Sequence, residues 1–586
     1  MKVLGISGFE MAMPFKRAHW PGLDEREYRM SQGHDAAAAL VVDGVCVAAA
    51  AEERFNRRKH SSDFPVGAIR YCLEEAGCSV TDIDEIAHGF NYAPYAAAYS
   101  VDPMTDKQYR EVFSRDALLA LIRRDCPGVP VERVRHVDHH LAHAASAYFT
   151  SGWDECLVVV ADGMGEAHGV SVYLARDGKF EALFRIPASD SIGVLYSLVT
   201  LHLGFDFNAD ECKMMGLAPY GDAERFSGFF QEHVKLTAGG AIRIPILRLN
   251  RDRAERETYA ATRRVLEEQL IKARQPDDDI TDEHRDVAAA LQACLDRGMR
   301  HLCGSLALRT GQRRLALAGG VALNCTAAGR LVTSGLFDDV YVQPAAGDDG
   351  AALGAALYRA SVHKDVRNLR SPAPFYGPSY PVSAVRAALA RFHDRLQTIE
   401  FGTFEETCAE AARLIAQGCV VAWYRGRMEF GPRALGHRSI LADPGDPAMR
   451  DRINAMVKKR EAFRPFAPAV ALEEVHTWFD VPPGTELPYM TVTVEVREPY
   501  RRQLPAITHV DGSARVQTVS TKDDATFHAL LRAVGTLTGR SMVLNTSFNV
   551  NGQPIVNTPD EAIETFLGTG IDCLFLEDVC ARRREQ

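Results

Sequence analysis

The chain has 586 residues, 46% hydrophobic and 25% charged, a globular balance that excludes a disordered, collagen-like or coiled-coil protein and leaves room for about two to four domains. Its net charge of −10, from 67 basic and 77 acidic side chains, argues against a nucleic-acid partner. No apolar run reaches the roughly 18–20 residues of a membrane-spanning helix, the 13 cysteines form no CxxC pair, and the N-terminus lacks a signal-peptide core, so a soluble protein of a reducing cytoplasm is expected.

In chain order, residues 1–8 read as a buried strand ending in a glycine turn. The segment Glu10–Gln32 is longer than a strand connection needs, yet Met11, Met13, Phe15, Trp20, Tyr28 and Met30 make it too apolar for a disordered linker. Ala36–Val42, Asp43-Gly44 and Val45–Ala51 predict a hairpin. The order recurs with Leu157–Ala161, Asp162-Gly163, Gly169–Leu174, a turn at Asp177-Gly178 and Phe180–Phe184. A duplicated strand-plus-hairpin unit of this type resembles the actin, sugar-kinase and Hsp70 superfamily. Residues 251–309 read as helices, with Ala288–Leu291 on an apolar stripe and an exposed acidic loop at Asp277–Asp279. Leu315–Ala318 and Val340–Val342 are strands; the second runs into a loop at Gly347–Gly350 before an alanine-rich helix. Four prolines in Leu369–Pro381 predict a linker between domains at 1–368 and 382–586.

Several constellations carry chemistry. His139 and His143, in the run His139-His140-Leu141-Ala142-His143, project from one face of a helix at a spacing that suits one metal ion. Asp162 ends a strand, and Asp348 and Asp349 lie in a glycine-flanked loop, where carboxylates of an α/β sheet meet ligands. Two imidazoles with one or two carboxylates suit iron(II), manganese or zinc. Gly319-Gly320, before Val321-Ala322-Leu323-Asn324, lets backbone N–H groups approach an anion or nucleoside. Glu211–Gly221 reads as a polar loop ending in glycine. Residues 421–470 hold ten Arg or Lys against five Asp or Glu, reversing the sign of the whole chain, and glycine, proline and phenylalanine punctuate them. That combination predicts a polyphosphate pocket. Asn545–Asn549, after a strand at Met542–Leu544, offers short polar side chains in a turn. Taken singly, each of these has a plainer reading as a polar helix face or a tight turn.

Together with His34–Ala38, Glu52–Phe55 and Lys59-His60, and in this order over nearly the whole chain, these segments resemble the bacterial O-carbamoyltransferase family of nodulation-factor, cephalosporin, aminoglycoside and ansamycin carbamoyltransferases. The resemblance implies an α/β protein. Its N-terminal domain would be a duplicated actin-like (ASKHA) domain, similar to the universal tRNA threonylcarbamoyl-transfer protein. Its C-terminal domain would be YrdC-like, similar to the threonylcarbamoyl-adenylate synthase. It further implies that carbamoyl phosphate and ATP, with Mg²⁺, give carbamoyl adenylate in the C-terminal domain, and that the carbamoyl group then moves to a hydroxyl of a small natural product of antibiotic or macrolide type. The implied ligands of a divalent metal, with Fe(II) the expected ion, are His139, His143, Asp162 and Asp348; the implied catalytic histidine is His34. The adenylate site would use Arg433, Lys458, Arg464, Arg515, Asn545 and Ser547, with Lys458, Arg515 and Ser547 in catalytic roles, and Gly319, Gly320 and Asn324 as further nucleotide contacts. His34 is expected to act as a base with an ordinary pKa near 6.5. The Glu10–Gln32 segment, which leads into His34, is expected to wall an acceptor pocket. Two alternatives remain: a threonylcarbamoyl-type tRNA modifier, disfavoured by the acidic net charge, and an actin-like ATPase that transfers nothing. Acceptor, metal and oligomeric state, a homodimer among the options, stay open.

Overall fold

A computed structural model describes residues 1–363, 374–458 and 460–584. They fall into two compact units, Met1–Glu53 with residues 60–363, and Arg54–Lys59 with residues 374–584.

The first unit is a mixed α/β fold built twice on one plan. Strands β1 (Lys2–Ser7), β2 (Ala37–Val42), β3 (Val45–Ala51), β4 (Glu85–His88) and β5 (Val134–His136) form a sheet in the order β3-β2-β1-β4-β5. Strands β6 (Glu155–Ala161), β7 (His168–Arg176), β8 (Lys179–Pro187), β9 (Arg314–Ala318) and β10 (Asp339–Val342) form the other in the order β8-β7-β6-β9-β10. In each sheet the first strand pairs antiparallel with a hairpin and parallel with the fourth strand, so the two match strand for strand. Both hairpins close on the predicted residues: Asp43 and Gly44 have φ of 50° and 86°, and Asp177 and Gly178 have 49° and 74°, the left-handed pair that a two-residue turn between twisted strands requires. The central strands β1 and β6 are buried almost throughout, which is why they read as continuous apolar runs.

Helices fill the connections. The Glu10–Gln32 segment folds into α1 (Ala12–His19) and a short turn Glu25–Tyr28, the latter started by a capping box between Asp24 and Glu27. Helix α2 (His139–Ser151) follows β5, α3 (Asp282–Thr310) carries the predicted stripe Ala288–Leu291 into the core, α4 (Cys325–Val332) follows β9, and α5 (Asp348–His363) follows β10. Thus α2 and α5 are equivalents in the two repeats. They cross where Gly354 meets Ala142, since a Cβ on Gly354 would overlap the Ala142 carbonyl oxygen. Two expected loops are helical instead. Residues 211–217 form a helix, and Asp348 and Asp349 begin α5, where the unsatisfied N–H groups of a first turn favour carboxylates.

The second unit holds an eight-stranded sheet of β11 (Leu396–Glu400), β12 (Val421–Tyr424), β13 (Arg438–Ala442), β14 (Ala467–Ala471), β15 (Gln517–Val519), β16 (Met542–Ser547), β17 (Cys573–Leu576) and β18 (Val579–Arg583), in the order β11-β18-β17-β12-β13-β16-β14-β15. Helices α6 (Phe404–Ala416) and α7 (Ala525–Thr538) pack with it around Trp423, Phe527 and Phe575. Of the expected linker, residues 369–373 lie outside the described residues. Residues 374–378 are no spacer: Pro374 and Pro378 accept the N–H groups of Phe430 and Met428 at 2.7 and 3.0 Å, and Phe375 stacks on His437 at 3.7 Å. Among the described residues no helix is long and apolar enough to cross a membrane.

Candidate functional site

In the first unit, His139, His143, Asp162 and Asp348 converge. One ligand atom from each lies within 4.8 Å of all the others. The His139 Nε2 atom is 3.1 Å from His143 Nε2, 3.5 Å from Asp162 Oδ2 and 3.4 Å from Asp348 Oδ1, and His143 Nε2 is 3.7 Å from the same Asp348 oxygen. An ion bound at the usual 2.0–2.2 Å spaces neighbouring ligands by about 3.0–3.4 Å, so this set fits one divalent metal. Surrounding bonds aim the ligands. His139 Nδ1 donates to the Gly89 carbonyl at 2.9 Å, which leaves Nε2 its lone pair. Asp162 Oδ1 accepts the Gly320 N–H at 2.9 Å, which leaves Oδ2 for the centre. Electrostatically the cluster demands positive charge: burial lowers the His139 pKa, but the Asp348 and Asp162 carboxylates outweigh it and hold the imidazole well above its ordinary value. Both aspartates are pushed down by the histidines against their own burial.

The supporting glycines and amides serve the protein itself. Gly319, at φ 86°, lies so close to the Ala161 carbonyl that no side chain fits, and the Gly320 N–H is spent on Asp162. Asn324 caps α4 and exchanges two amide hydrogen bonds with Gln292. Residues that the sequence analysis passed over also build the site. The ring of Phe90 stacks on His139 at 3.8 Å, and a Glu166 oxygen accepts the backbone N–H groups of Asn91 and His139. Gln32 donates to the carbonyls of Met164 and Gly165 at 2.8 and 2.7 Å and accepts from Tyr92, tying the segment before His34 to the loop after Asp162.

His34 is 5% exposed. Its Nε2 donates to the Arg29 carbonyl at 3.1 Å, so the tautomer leaves the Nδ1 lone pair buried and without a partner. Burial, with a contribution from Arg29, lowers its pKa to about 4, which corrects the ordinary value expected from sequence. Beside it, Asp35 accepts from His60 Nδ1 at 2.8 Å, and that imidazole holds the carboxyl at about 2 despite burial. Glu53 accepts the His60 N–H, completing a trio that is bonded within itself.

In the second unit, Asn545 is fully buried in β16, which runs through Ser547, so the expected turn at 545–549 is strand over its first half. Its Nδ2 donates to Gln517 Oε1 at 2.9 Å and more weakly to the Ala434 carbonyl at 3.3 Å, and Gln517 donates to the Leu435 carbonyl; Oδ1 of Asn545 is buried without a partner. This network joins Asn545 to the neighbour of Arg433. Arg515, at the end of the strand Ser513–Arg515, is two residues from Gln517. Arg433 is half-buried and, among the described residues, forms no hydrogen bond or ion pair. Ser547 stands opposite Ser439 in the register and bonds Asn549 at 2.6 Å. Arg464 lies 3.8 Å from Glu461, and Lys458 ends the turn Asn454–Lys458 with a side chain outside the described residues. Several cations of the basic stretch are spent internally. Arg438 is fully buried over Tyr424 and donates to four loop carbonyls, Arg425 pairs with Asp578 and Arg452 with Asp572.

Comparison with known proteins follows the same division. Residues 29–92 and 94–357 match the carbamoyltransferase N-terminus family, and residues 412–583 match the carbamoyltransferase C-terminus family. The chain is 38% identical over 592 aligned residues to the nodulation protein NolNO of Sinorhizobium fredii, covering 100% of this chain and 83% of that one. It is 40% identical over 450 residues to the nodulation protein NolO of Bradyrhizobium diazoefficiens, covering 76% and 79% of the two chains. Over 276 residues it is 35% identical to the 3'-hydroxymethylcephem-O-carbamoyltransferase of Amycolatopsis lactamdurans, covering 46% of this chain and 49% of that one. With both halves matched and relatives aligned over most of its length, this chain belongs to the carbamoyltransferase family.

Proposed function

We propose that the protein moves the carbamoyl group of carbamoyl phosphate, by way of carbamoyl adenylate, to a hydroxyl of a small natural product. The observation that carries this reading is the buried His139, His143, Asp162 and Asp348 cluster in one unit of a chain whose other unit offers Arg433, unpaired among the described residues, next to the Asn545 network. The adenylate-forming half is residues 382–586, with a YrdC-like role. There carbamoyl phosphate, ATP and water give carbamoyl adenylate, phosphate and pyrophosphate, and Arg433, Lys458, Arg464 and Arg515 offset the phosphate charge while Asn545 and Ser547 orient the reacting groups. The transfer half is residues 1–368, with the actin-like role. His34 Nδ1, unprotonated at neutral pH, takes the acceptor hydroxyl proton as the oxygen attacks the carbamoyl carbon and AMP leaves. His139, His143, Asp162 and Asp348 would hold a divalent metal, Fe(II) being the expected ion, which would supply positive charge for the AMP phosphate. The names of the relatives, two nodulation proteins and a cephem O-carbamoyltransferase, support a secondary-metabolite acceptor. The Glu10–Gln32 segment is one wall of its pocket, tethered through Gln32, and half-buried Trp20 is the side chain that meets an apolar acceptor.

The test is incubation with ATP, Mg²⁺, carbamoyl phosphate and a panel of hydroxylated macrolides, macrolactams, oligosaccharides and aminoglycosides. Mass spectrometry should find a carbamate ester on one class, with pyrophosphate released only when carbamoyl phosphate is present. ATP turnover that ignores carbamoyl phosphate, and no ester on any acceptor, would refute the reading. Trp20→Ala should raise the acceptor KM about three- to ten-fold with adenylate formation unchanged.

A further inference from the structure

The second unit contains one piece of chain from far upstream, Arg54–Lys59, and two of its arginines, Arg54 and Arg57, bond that unit's loops. Arg57 donates to the carbonyls of Ile555 and Pro554 and pairs with Glu561 at 3.1 Å. Arg54 is 4% exposed, and its Nη2 donates to the Gly431 carbonyl at 3.0 Å. A guanidinium loses much hydration on burial, so its partners must be fixed for the arrangement to persist. Gly431 sits two residues before Arg433, at φ 120°, a value glycine adopts far more readily than other residues, and Pro432 between them has no N–H to hold its own place.

The rest of this loop is pinned from the other side. One Glu429 oxygen accepts the N–H groups of Leu435, His437 and Arg438 at 2.7, 2.9 and 3.2 Å, and the Glu429 side chain is 3% exposed. His437 bonds the Arg427 carbonyl with one ring nitrogen and Asp524 at 3.0 Å with the other. These bonds, with that of the Phe430 N–H to Pro374, anchor the loop at 427–430 and 435–438, while at its apex, residues 431–433, the Arg54 bond holds the peptide plane that precedes Pro432-Arg433.

We propose that Arg54 is a positioning residue for Arg433: it orients the Gly431-Pro432 peptide so that the Arg433 guanidinium faces bound phosphate, and the adenylate-forming unit is incomplete without this upstream segment. The inference rests on the phosphate-binding role proposed above for Arg433, and its test separates the two. In the full-length protein, titration calorimetry with ATP·Mg²⁺ and with carbamoyl phosphate is compared for wild type, Arg54→Ala, Arg433→Ala and the double variant. Arg54→Ala should weaken, at least five-fold, the same anion that Arg433→Ala weakens, and the double variant should be no weaker than Arg433→Ala alone, since a residue acting only through Arg433 adds nothing once Arg433 is gone. The KM for that anion in pyrophosphate release should rise in parallel, with kcat within three-fold. Multiplying effects in the double variant, or anion binding in Arg54→Ala equal to wild type, would overturn the inference. If Arg433→Ala binds both anions normally, the phosphate role of Arg433 fails and this inference with it. Should Arg54→Ala not fold, Arg54→Lys retains one donor on a long stem; it should show a smaller loss of the same anion, again masked by Arg433→Ala, and unchanged binding there overturns the inference equally.

Discussion

His34 shows how far burial moves a residue from its textual identity. A histidine with pKa about 4 is neutral across physiological pH, so the transfer step should show an acidic limb near pH 4 and none near 6.5, checked by the pH profile of carbamate formation from preformed carbamoyl adenylate. His88 is likewise lowered to about 4 by burial, with His136 adding to the effect. Both groups bind protons more readily in the unfolded chain, whose histidines titrate near 6.5. Stability is therefore fullest above that value and falls as pH drops from 6.5 towards 4, which urea melts at pH 7, 5.5 and 4.5 should reveal as a declining midpoint. At the proposed metal cluster, His143→Ala removes one of four potential ligand atoms held within 4.8 Å of one another. Elemental analysis of the purified variant should find the divalent ion reduced at least ten-fold; full occupancy would make the histidines structural. The histidines of this cluster were legible in the sequence, because an i,i+4 pair announces its own geometry, whereas the convergence of Asp162 and Asp348 on them is set by the fold. The pKa of His34 was not legible, since it depends on side chains that only folding packs around it.

At the scale of elements, the hairpins were readable from their turn residues, whereas the helical start of α5 was not, since Gly347–Gly350 looks like a loop in any local window. The crossing of α2 and α5 gives a prediction in which local propensity and packing disagree. Alanine is the better helix former by about 1 kcal/mol, so propensity alone predicts that Gly354→Ala stabilises. A Cβ at that position overlaps the Ala142 carbonyl oxygen, and separating the helices moves His139 and His143 away from Asp348. The variant should lose about 1–3 kcal/mol in denaturant unfolding and most of its bound metal; a more stable, fully metallated variant would show that the crossing tolerates a methyl group. Helix α1 carries a second case. Phe15 is 3% exposed among Phe9, Phe90 and Phe113, so Phe15→Ala should cost about 3–5 kcal/mol and is a stability probe, whereas half-buried Trp20 probes the acceptor.

For the molecule as a whole, the proposed division of labour makes the two half-reactions separable. Lys458→Ala, Arg433→Ala or Arg515→Ala should lower carbamoyl-phosphate-dependent pyrophosphate release at least ten-fold with metal content unchanged, since a charged hydrogen bond is worth about 1.5–3 kcal/mol. His34→Asn should spare pyrophosphate release and stop carbamate formation. Loss of pyrophosphate release in a folded His34→Asn protein would place the chemistry wrongly.

The amino-acid sequence by itself determined the duplicated strand-hairpin plan, the positions of both left-handed turns, the buried central strands and the histidine pair of the proposed metal cluster. Each of these is set by local periodicity, by glycine and aspartate at positions of positive φ, or by spacing along one helix. Only the tertiary structure decided which cations stay available and which are consumed. Arg433 and Arg438 are alike in the basic stretch, yet Arg438 is sealed over Tyr424 and bonded to loop carbonyls while Arg433 has no hydrogen-bond or ion-pair partner among the described residues. The same holds for the Arg54–Lys59 segment, which sequence assigns to the first domain and packing assigns to the second unit. The reason is physical: a buried charge is stable only where distant segments supply its partners, and those partners are set by how the chain folds and not by what stands next to the residue in sequence.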